Sequence, residues 1–370
     1  MKQGWTYKPL GEVCDLYQPQ TISKKDMVTN GEYNVFGANG IIGKYDKYNH
    51  ELPEILMTCR GATCGNINVS TPKSWINGNA MVVHIKDESV INRLFLTYIL
   101  SYIDKSKIIT GAAQPQITRQ TLYPLEICYP NLYKQERIVE YLDKAFEDID
   151  TLKDNSQKQL DDARKLFQAA LTEAMQPKEG WKMKSIGALF KTYSGGTPIK
   201  SEKSYYEKGT IPWLRSGEVC RKYITKCEMY ITEEGLKNSS AKYFPVNTLL
   251  VAMYGATAAQ VGILKFRATS NQAVCGILPS KEFVPEYVYY WFKHIENDLA
   301  SQAQGGAQPN ISQQKIKKVE IPIISISEQQ EIVQKLDALS DNVQKLEEIN
   351  RKVIAECDAL KQSILRQIFE

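Results

Sequence analysis

The 370-residue chain carries 46 Lys and Arg against 42 Asp and Glu, three His and eight Cys, with 43% hydrophobic and 24% charged residues. That length accommodates two domains with real cores, and the composition excludes a chain that is disordered throughout. No run nears the ~18 apolar residues of a membrane span, and residues 1–10 do not read as a signal peptide. The Cys residues form no CxxC pair and share no ligand spacing with the His residues. Neither a disulfide framework nor a metal site is therefore expected, and reduced thiols in the cytoplasm are.

In chain order, residues 1–130 mix short apolar runs such as Glu54–Cys59 with Gly, Pro and Asn turns, which predicts mixed α/β structure with short strands. Residues 131–176 form the next segment, and from 134 to 175 they contain no Pro or Gly. Positions 138, 142, 145, 149, 152, 156, 159, 163, 166 and 170 step by four and three, as a coiled-coil seam does. Residues 177–327 return to the strand-and-turn pattern, with Asn247–Met253 as one apolar run. Residues 328–370 repeat the helical pattern, with a seam at 332, 336, 339, 343, 346, 350, 353, 357, 360 and 364. Ser327 with Gln330 three residues on supplies a capping box for this second helix.

The chain is an internal duplication. Gly61-Ala62-Thr63 recurs as Gly255-Ala256-Thr257, and the Gly111–Thr118 stretch recurs as Gly305–Ser312. Gln135-Glu-Arg-Ile138-Val139 recurs as Gln329-Gln-Glu-Ile332-Val333, and all three pairs lie 194 residues apart. Gly4-Trp5 recurs as Gly180-Trp181 at a separation of 176, so the second copy is longer near its start. The order domain, helix, domain, helix predicts an antiparallel helix pair, since neither stripe can be hidden within one small domain. Ser156 and Asn350 are equivalent polar positions in the two seams and are candidates for setting its register. The net charges of the four segments are +2, −3, +8 and −3, which places basic units on an acidic spacer and suggests a polyanionic ligand for the units.

Motifs for catalysis are missing. The nearest approach to a phosphate-binding loop, around Gly40–Tyr45, has Ala38 where the first Gly belongs and Tyr45 in place of the hydroxyl residue. There is no GxGxxG before a helix, no GxSxG, no HExxH and no EF-hand loop. An Asn/Asp-Pro-Pro-aromatic run of the adenine-methyltransferase kind is also lacking. What remains are Gly-rich and aromatic-basic turns in both copies: Gly37–Tyr45 and Cys59–Thr63 in the first, Tyr193–Pro198, Ile211–Glu218 and Tyr254–Thr257 in the second. Gly permits close approach of backbone to phosphate, while Arg, Asn, Gln and Glu can each read a base edge. A Gly-rich turn is more often simply a turn, and Trp5, Trp181 and Trp213 suit core positions better than base-stacking ones.

These residues resemble the specificity subunit of a type I restriction–modification system over the whole chain. The most specific stretches are Ser194-Gly-Gly-Thr-Pro198 with Ile211–Val219, and Gly306–Ser312 with Ile321–Ile332. The resemblance implies an α+β fold: two tandem target-recognition domains, separated by two long helices that form an antiparallel coiled coil, in a pseudo-two-fold repeat. It implies double-stranded DNA as ligand, two methyltransferase subunits docked on the helices, and restriction subunits in the full complex. This chain would be non-catalytic; S-adenosylmethionine, Mg and ATP belong to the partner subunits. The first copy departs from the pattern, with Gln18-Pro19-Gln20-Thr21 where the Ser-Gly-Gly-Thr-Pro loop stands in the second, and the family often continues with a Gly-Lys-Leu tail beyond the second helix.

On this reading a bipartite, asymmetric DNA site is read one half per domain. A one-heptad change in the spacer should move the units by roughly 10 Å, or ~3 base pairs. Lys44, Arg60, Arg215, Ser216, Glu218 and Tyr254 are expected at bases or in the grooves, and Lys24, Lys25, Thr197, Lys200 and Lys203 at phosphates. The rival readings are a bivalent scaffold for a protein or another polyanion, and, less favoured, a self-sufficient enzyme.

Overall fold

The structure, a computed structural model, describes residues 2–111, 114–302 and 310–370. Met1, Ala112, Ala113 and residues 303–309, which include all of Gly305–Pro309, lie outside the described residues. The chain divides into two compact units, residues 1–157 with 351–370 and residues 158–350. The division falls inside both long helices, so each unit takes the beginning of one helix and the end of the other.

The first unit holds a four-stranded antiparallel sheet in the order Cys14–Tyr17, Ala80–Ile85, Ile55–Thr58, Ile67–Val69. A three-stranded sheet places Tyr33–Gly37 between its antiparallel hairpin partner Gly40–Tyr45 and the parallel strand Trp75–Ile76. The run Glu54–Cys59 reads as continuous apolar sequence because the strand within it is buried along its whole length. Helix Arg93–Tyr102, capped by the Asn92 side chain on Phe95 N–H, packs on this sheet. The small ribbon Thr6–Pro9 with Glu126–Tyr129 joins the ends of the domain. Gly11 must be glycine, since a Cβ there would lie 1.9 Å from the Tyr123 ring.

The second unit repeats this plan. Its larger sheet runs Thr192–Ser194, Val274–Ile277, Leu249–Ala252, Val261–Leu264, Tyr223–Ile224. The smaller sheet sets Ile211–Leu214 between Tyr230–Ile231 and the parallel strand Thr269–Ser270. Helix Pro285–His294 and the ribbon Lys182–Ser185 with Glu320–Ile323 complete the match.

The two long helices are Leu132–Met175 and Ile326–Phe369, each 44 residues or ~66 Å long. In the first unit Asp150 pairs with Lys361 at 2.6 Å and Lys153 with Asp358 at 2.7 Å, so the helix segments run antiparallel. Leu365 and Phe369 from the second helix enter the first unit's core beside Val139 and Leu142. In the second unit Arg164 pairs with Glu347 at 2.7 Å, and Leu171 and Met175 enter the core beside Leu336.

The packed seam corrects half of the positions expected from the sequence. The row 142, 149, 156, 163 is inward-facing, as is its counterpart 336, 343, 350, 357. The other row is displaced by one residue, to 139, 146, 153, 160, 167 and 333, 340, 347, 354, 361. Leu152, Leu166, Leu346 and Leu360, assigned to the seam by their apolar character, stay exposed. Lys153, Glu347 and Lys361 take the inner positions, where long side chains cover apolar surface with their stems and meet opposite charges with their tips. Ser156 and Asn350 are both buried, each within its own unit, and the Asn350 amide donates to Leu346 O of its own helix at 3.0 Å.

The cap of the second helix is corrected too. Ser325 and Glu328 form the reciprocal box, with Glu328 N donating to Ser325 Oγ at 3.2 Å and Ser325 N donating to Glu328 Oε2 at 3.0 Å. The helix therefore begins two residues before the Ser327 and Gln330 pair could cap it. Ser325→Ala is expected to cost about 1 kcal/mol in urea unfolding, and Ser327→Ala under about 0.5 kcal/mol. The Ser325 hydroxyl and then its backbone N–H hold the Glu328 carboxyl below the usual range. The folded state thus favours the carboxylate, and the cap's contribution is full above the ordinary glutamate range. It is lost as pH falls through the lowered value, so the wild-type advantage over Ser325→Ala should shrink in acid.

Candidate nucleic-acid interface

Each unit gathers its turns around one asparagine that the sequence reading passed over. In the second unit Asn271 N donates to Leu214 O at 2.9 Å, and Gly196 N donates to the neighbouring Ser270 O at 2.9 Å. The Thr197 hydroxyl donates to Gln272 Oε1, and Met253 N to Ala273 O at 2.8 Å. Residues 270–273 thereby join the Ser194–Pro198 loop, the strand leading to Arg215 and the strand leading to Tyr254. In the first unit Asn77, 194 positions earlier, does the same work. Its N–H donates to Phe36 O at 2.9 Å, and its side chain accepts from Ile22 N at 2.9 Å. Gln18 Nε2 donates to Gly78 O at 2.8 Å, so the segment 18–22 fills the place of the Ser-Gly-Gly-Thr-Pro loop. The signal was available, since Asn77 and Asn271 obey the 194-residue offset.

The expected contact residues of the first unit fall on three connected turns. The Asp26 carboxylate accepts from Ser23 N at 2.8 Å and Ser23 Oγ at 2.7 Å, which folds a short turn exposing Lys24 and Lys25. Val28 N donates to Lys44 O at 2.9 Å, so these lysines lie on segments adjacent to Lys44 on the hairpin. The hairpin turn meets the Gly61 turn through Asn39 Nδ2 and Thr63 Oγ1 at 2.6 Å, and Arg60 opens that second turn. Among the described residues Lys24, Lys25, Lys44 and Arg60 form no ion pair. Gly61 has φ +85°, which only Gly adopts without strain. Beside them Asn66, Asn68 and Lys105 line a cleft with Asn39 and Thr63, and burial pulls the Lys105 ammonium pKa down. Polar Asn residues within a strand-forming run were the overlooked sign of this cleft.

In the second unit Arg215, Ser216 and Glu218 share one turn, with Ser216–Glu218 in a 3₁₀ helix. Arg215 is half-exposed, and its Nη2 meets Glu228 Oε2 at 2.5 Å. Glu218 serves the turn: Oε2 accepts from Arg215 N at 2.8 Å and Oε1 from Glu228 N at 3.0 Å. Each Glu218 oxygen thus holds one backbone N–H and keeps a further lone pair. Tyr254 is exposed and occupies the place of Arg60; they form isolated β-bridges to Asn310 and Gln116 respectively, which are themselves 194 residues apart. Lys200 and Lys203 are exposed on the segment after Pro198. Trp213, Trp5 and Trp181 pack in or against apolar clusters, as core residues do. Among the described residues no group of three or more His, Cys, Asp or Glu is placed to hold a metal ion.

The Gly pair at 195 and 196 has an internal reason. A Cβ at Gly195 would lie 2.2 to 2.3 Å from Ser270 Oγ and the carbonyls of Ser270 and Asn271, and one at Gly196 would strike Ser240 and Ala241. Both glycines therefore allow a close backbone approach to the protein itself. The Trp213 indole N–H then donates to Gly196 O at 2.8 Å. Gly217, in contrast, has open space around the Cβ position. Gly195→Ala should cost ~1–3 kcal/mol in urea unfolding through overpacking. Gly217→Ala should change stability by under about 0.5 kcal/mol while altering affinity for DNA in a binding titration.

The family model for the type I restriction modification DNA specificity domain matches residues 2–161 and again 178–353. The Escherichia coli EcoR124I/EcoR124II type I restriction enzyme specificity subunit is 26% identical over 353 residues, covering 89% of this chain and 85% of the relative. The MjaIX specificity subunit of Methanocaldococcus jannaschii is 34% identical over 188 residues, 49% of this chain and 43% of the relative. Among solved structures, a chain from a study of complex assembly and conformational transition of the type I R-M system aligns with a TM-score of 0.79 at 19% identity, covering 100% of this chain and 98% of its own. The HsdS subunit from Thermoanaerobacter tengcongensis aligns at 0.60 and 18% identity, over 100% and 97%. With two matched domains that together span most of its length, the chain belongs to the type I restriction–modification DNA specificity family.

Proposed function

We propose that this chain reads a bipartite, asymmetric sequence in double-stranded DNA, one half-site per unit, and acts as the non-catalytic specificity subunit of its complex in the cytoplasm. The observation that carries this reading is the contrast between the two copies. Their internal hubs agree at Asn77 and Asn271, whereas their outward turns differ. Gly37-Ala-Asn39-Gly40 in one copy answers to Arg215-Ser-Gly-Glu218 in the other, and Arg60 answers to Tyr254. Equal frames with unequal edges suit two unrelated half-sites. A bivalent scaffold for another polyanion would not need this difference.

S-adenosylmethionine, Mg and ATP act in partner subunits on this reading. The helices offer two equivalent places for the methyltransferases. In the first unit Leu152, Val353, Cys357, Ala359, Leu360 and Ser363 line an open apolar groove. The counterparts of Leu152 and Leu360 at a 194-residue offset, Leu346 and Leu166, are exposed in the second unit. Apolar side chains left in water on charged helices favour a helical partner at each place. Restriction subunits would then join the methylating complex.

Two outcomes test the reading. Leu360→Glu should reduce the methyltransferase content of the purified complex from two subunits to one by native mass measurement, with DNA binding by the chain retained. Removal of one register-matched heptad from both helices should shorten the unread spacer in the methylated motif by ~3 base pairs. An unchanged spacer after that deletion would refute the ruler role of the helices.

A further inference from the structure

We infer that Glu228 is a positioning residue for sequence reading, aiming the Arg215 guanidinium at a guanine edge in the half-site of the second unit. The inference rests on the proposed reading of DNA by that unit and goes one step deeper, to a residue that no recognition motif marks.

The geometry is a two-layer support. In the inner layer the carboxylate of Glu218, with only 12% of its side chain exposed, accepts from the backbone N–H groups of both Arg215 and Glu228. This fixes the main chain at the two positions relative to each other. In the outer layer Arg215 Nη2 donates to Glu228 Oε2 at 2.5 Å, with side chains 48% and 68% exposed. A guanidinium has five N–H donors; this contact uses one, Nε faces Glu218 Oε2 at 3.8 Å, and a bidentate grip on guanine O6 and N7 needs two of those that remain. An unsupported surface Arg must give up its rotamer freedom on binding, whereas one already held in a plane gives up less.

The setting argues for a purpose. Arg221 and Lys226 line the same crevice as Glu228, together with Gly217, whose Cβ position is open. A surface ion pair contributes little to folding, so Glu228 is not explained by stability. An exposed carboxylate among basic groups also repels phosphate, a cost that aiming Arg215 would offset.

The test is to express the chain with its cognate methyltransferase and map methylated motifs across the host genome. Arg215→Ala should degenerate one base pair of one half-site. Glu228→Ala should degenerate the same base pair, with discrimination there falling ~10-fold, and leave the other half-site intact as an internal control. Glu228→Gln, which retains an acceptor oxygen, should largely preserve the motif. An unchanged motif in Glu228→Ala or Arg215→Ala overturns the proposal, and so does equal loss of methylation at every base-pair variant. Absence of any split motif with the wild-type chain would instead count against the bipartite reading itself.

Discussion

The joint between helix and domain rests on one buried amide in each unit. Gln135 has no exposed surface. Its Oε1 accepts from Asn92 N, and its Nε2 donates to Val90 O and Pro130 O, all at 2.9 Å. Gln329 makes the equivalent contacts with Val284 N, Glu282 O and Ile324 O between 2.8 and 3.0 Å. Each glutamine ties the first turn of a long helix both to the strand before it and to the start of the helix that packs on the sheet. Removing the amide would strand the one fully buried partner in each unit, Pro130 O or Ile324 O, at ~1–3 kcal/mol, and leave two partly buried groups unpaired. The direction in which each helix leaves its domain is therefore held by hydrogen bonds that are buried or partly buried. A second link lies about two turns further on, where the hydroxyls of Tyr98 and Tyr290 donate to Asp143 and Asp337.

That joint explains why some of the structure was legible from the sequence. The Gln135 and Gln329 strings stand out because the duplicated joint tolerates little change. The long helices were equally plain, since uninterrupted heptads without Pro or Gly have few other solutions. The seam was read half correctly for a physical reason. Leu152, Leu166, Leu346 and Leu360 continue a four-three spacing, and a single sequence does not distinguish a leucine that packs within the chain from one held for a partner. The charged residues one position later settle it, because Lys153 and Lys361 find Asp358 and Asp150 across the pair. Those pairings depend on the antiparallel register, which lies far apart in sequence.

The contact residues were less legible than the frame. Arg215 was visible as a basic residue after a strand, but its link to Glu228 depends on a strand-pairing register that brings residues 13 apart into contact. Glu218 also braces its turn through two backbone N–H groups, which composition does not display. The Gly195-Gly196 pair has a packing reason against residues 240 and 270 that the sequence does not display. Local strings show which residues could bind a nucleic acid, whereas tertiary contacts decide which of them remain free to do so.

The positive-φ positions show what the duplication has held constant. Gly61 and Gly255 have φ +85° and +70°, and the next such pair is Gly65 at +90° and Ala259 at +73°. Ala in that region costs roughly 1–2 kcal/mol, and Ala259 is fully buried in the second unit's core. The second copy thus keeps the turn's backbone path even where its residue is strained by it, while the outward residue at the head of the turn changes from Arg60 to Tyr254. A cation can reach a phosphate or a guanine edge; a tyrosine offers a ring and one hydroxyl. The copy with Tyr254 carries the larger positive charge elsewhere, +8 against +2 over its recognition segment. The two copies thus share a backbone frame and differ in the charge and chemistry of their outward turns.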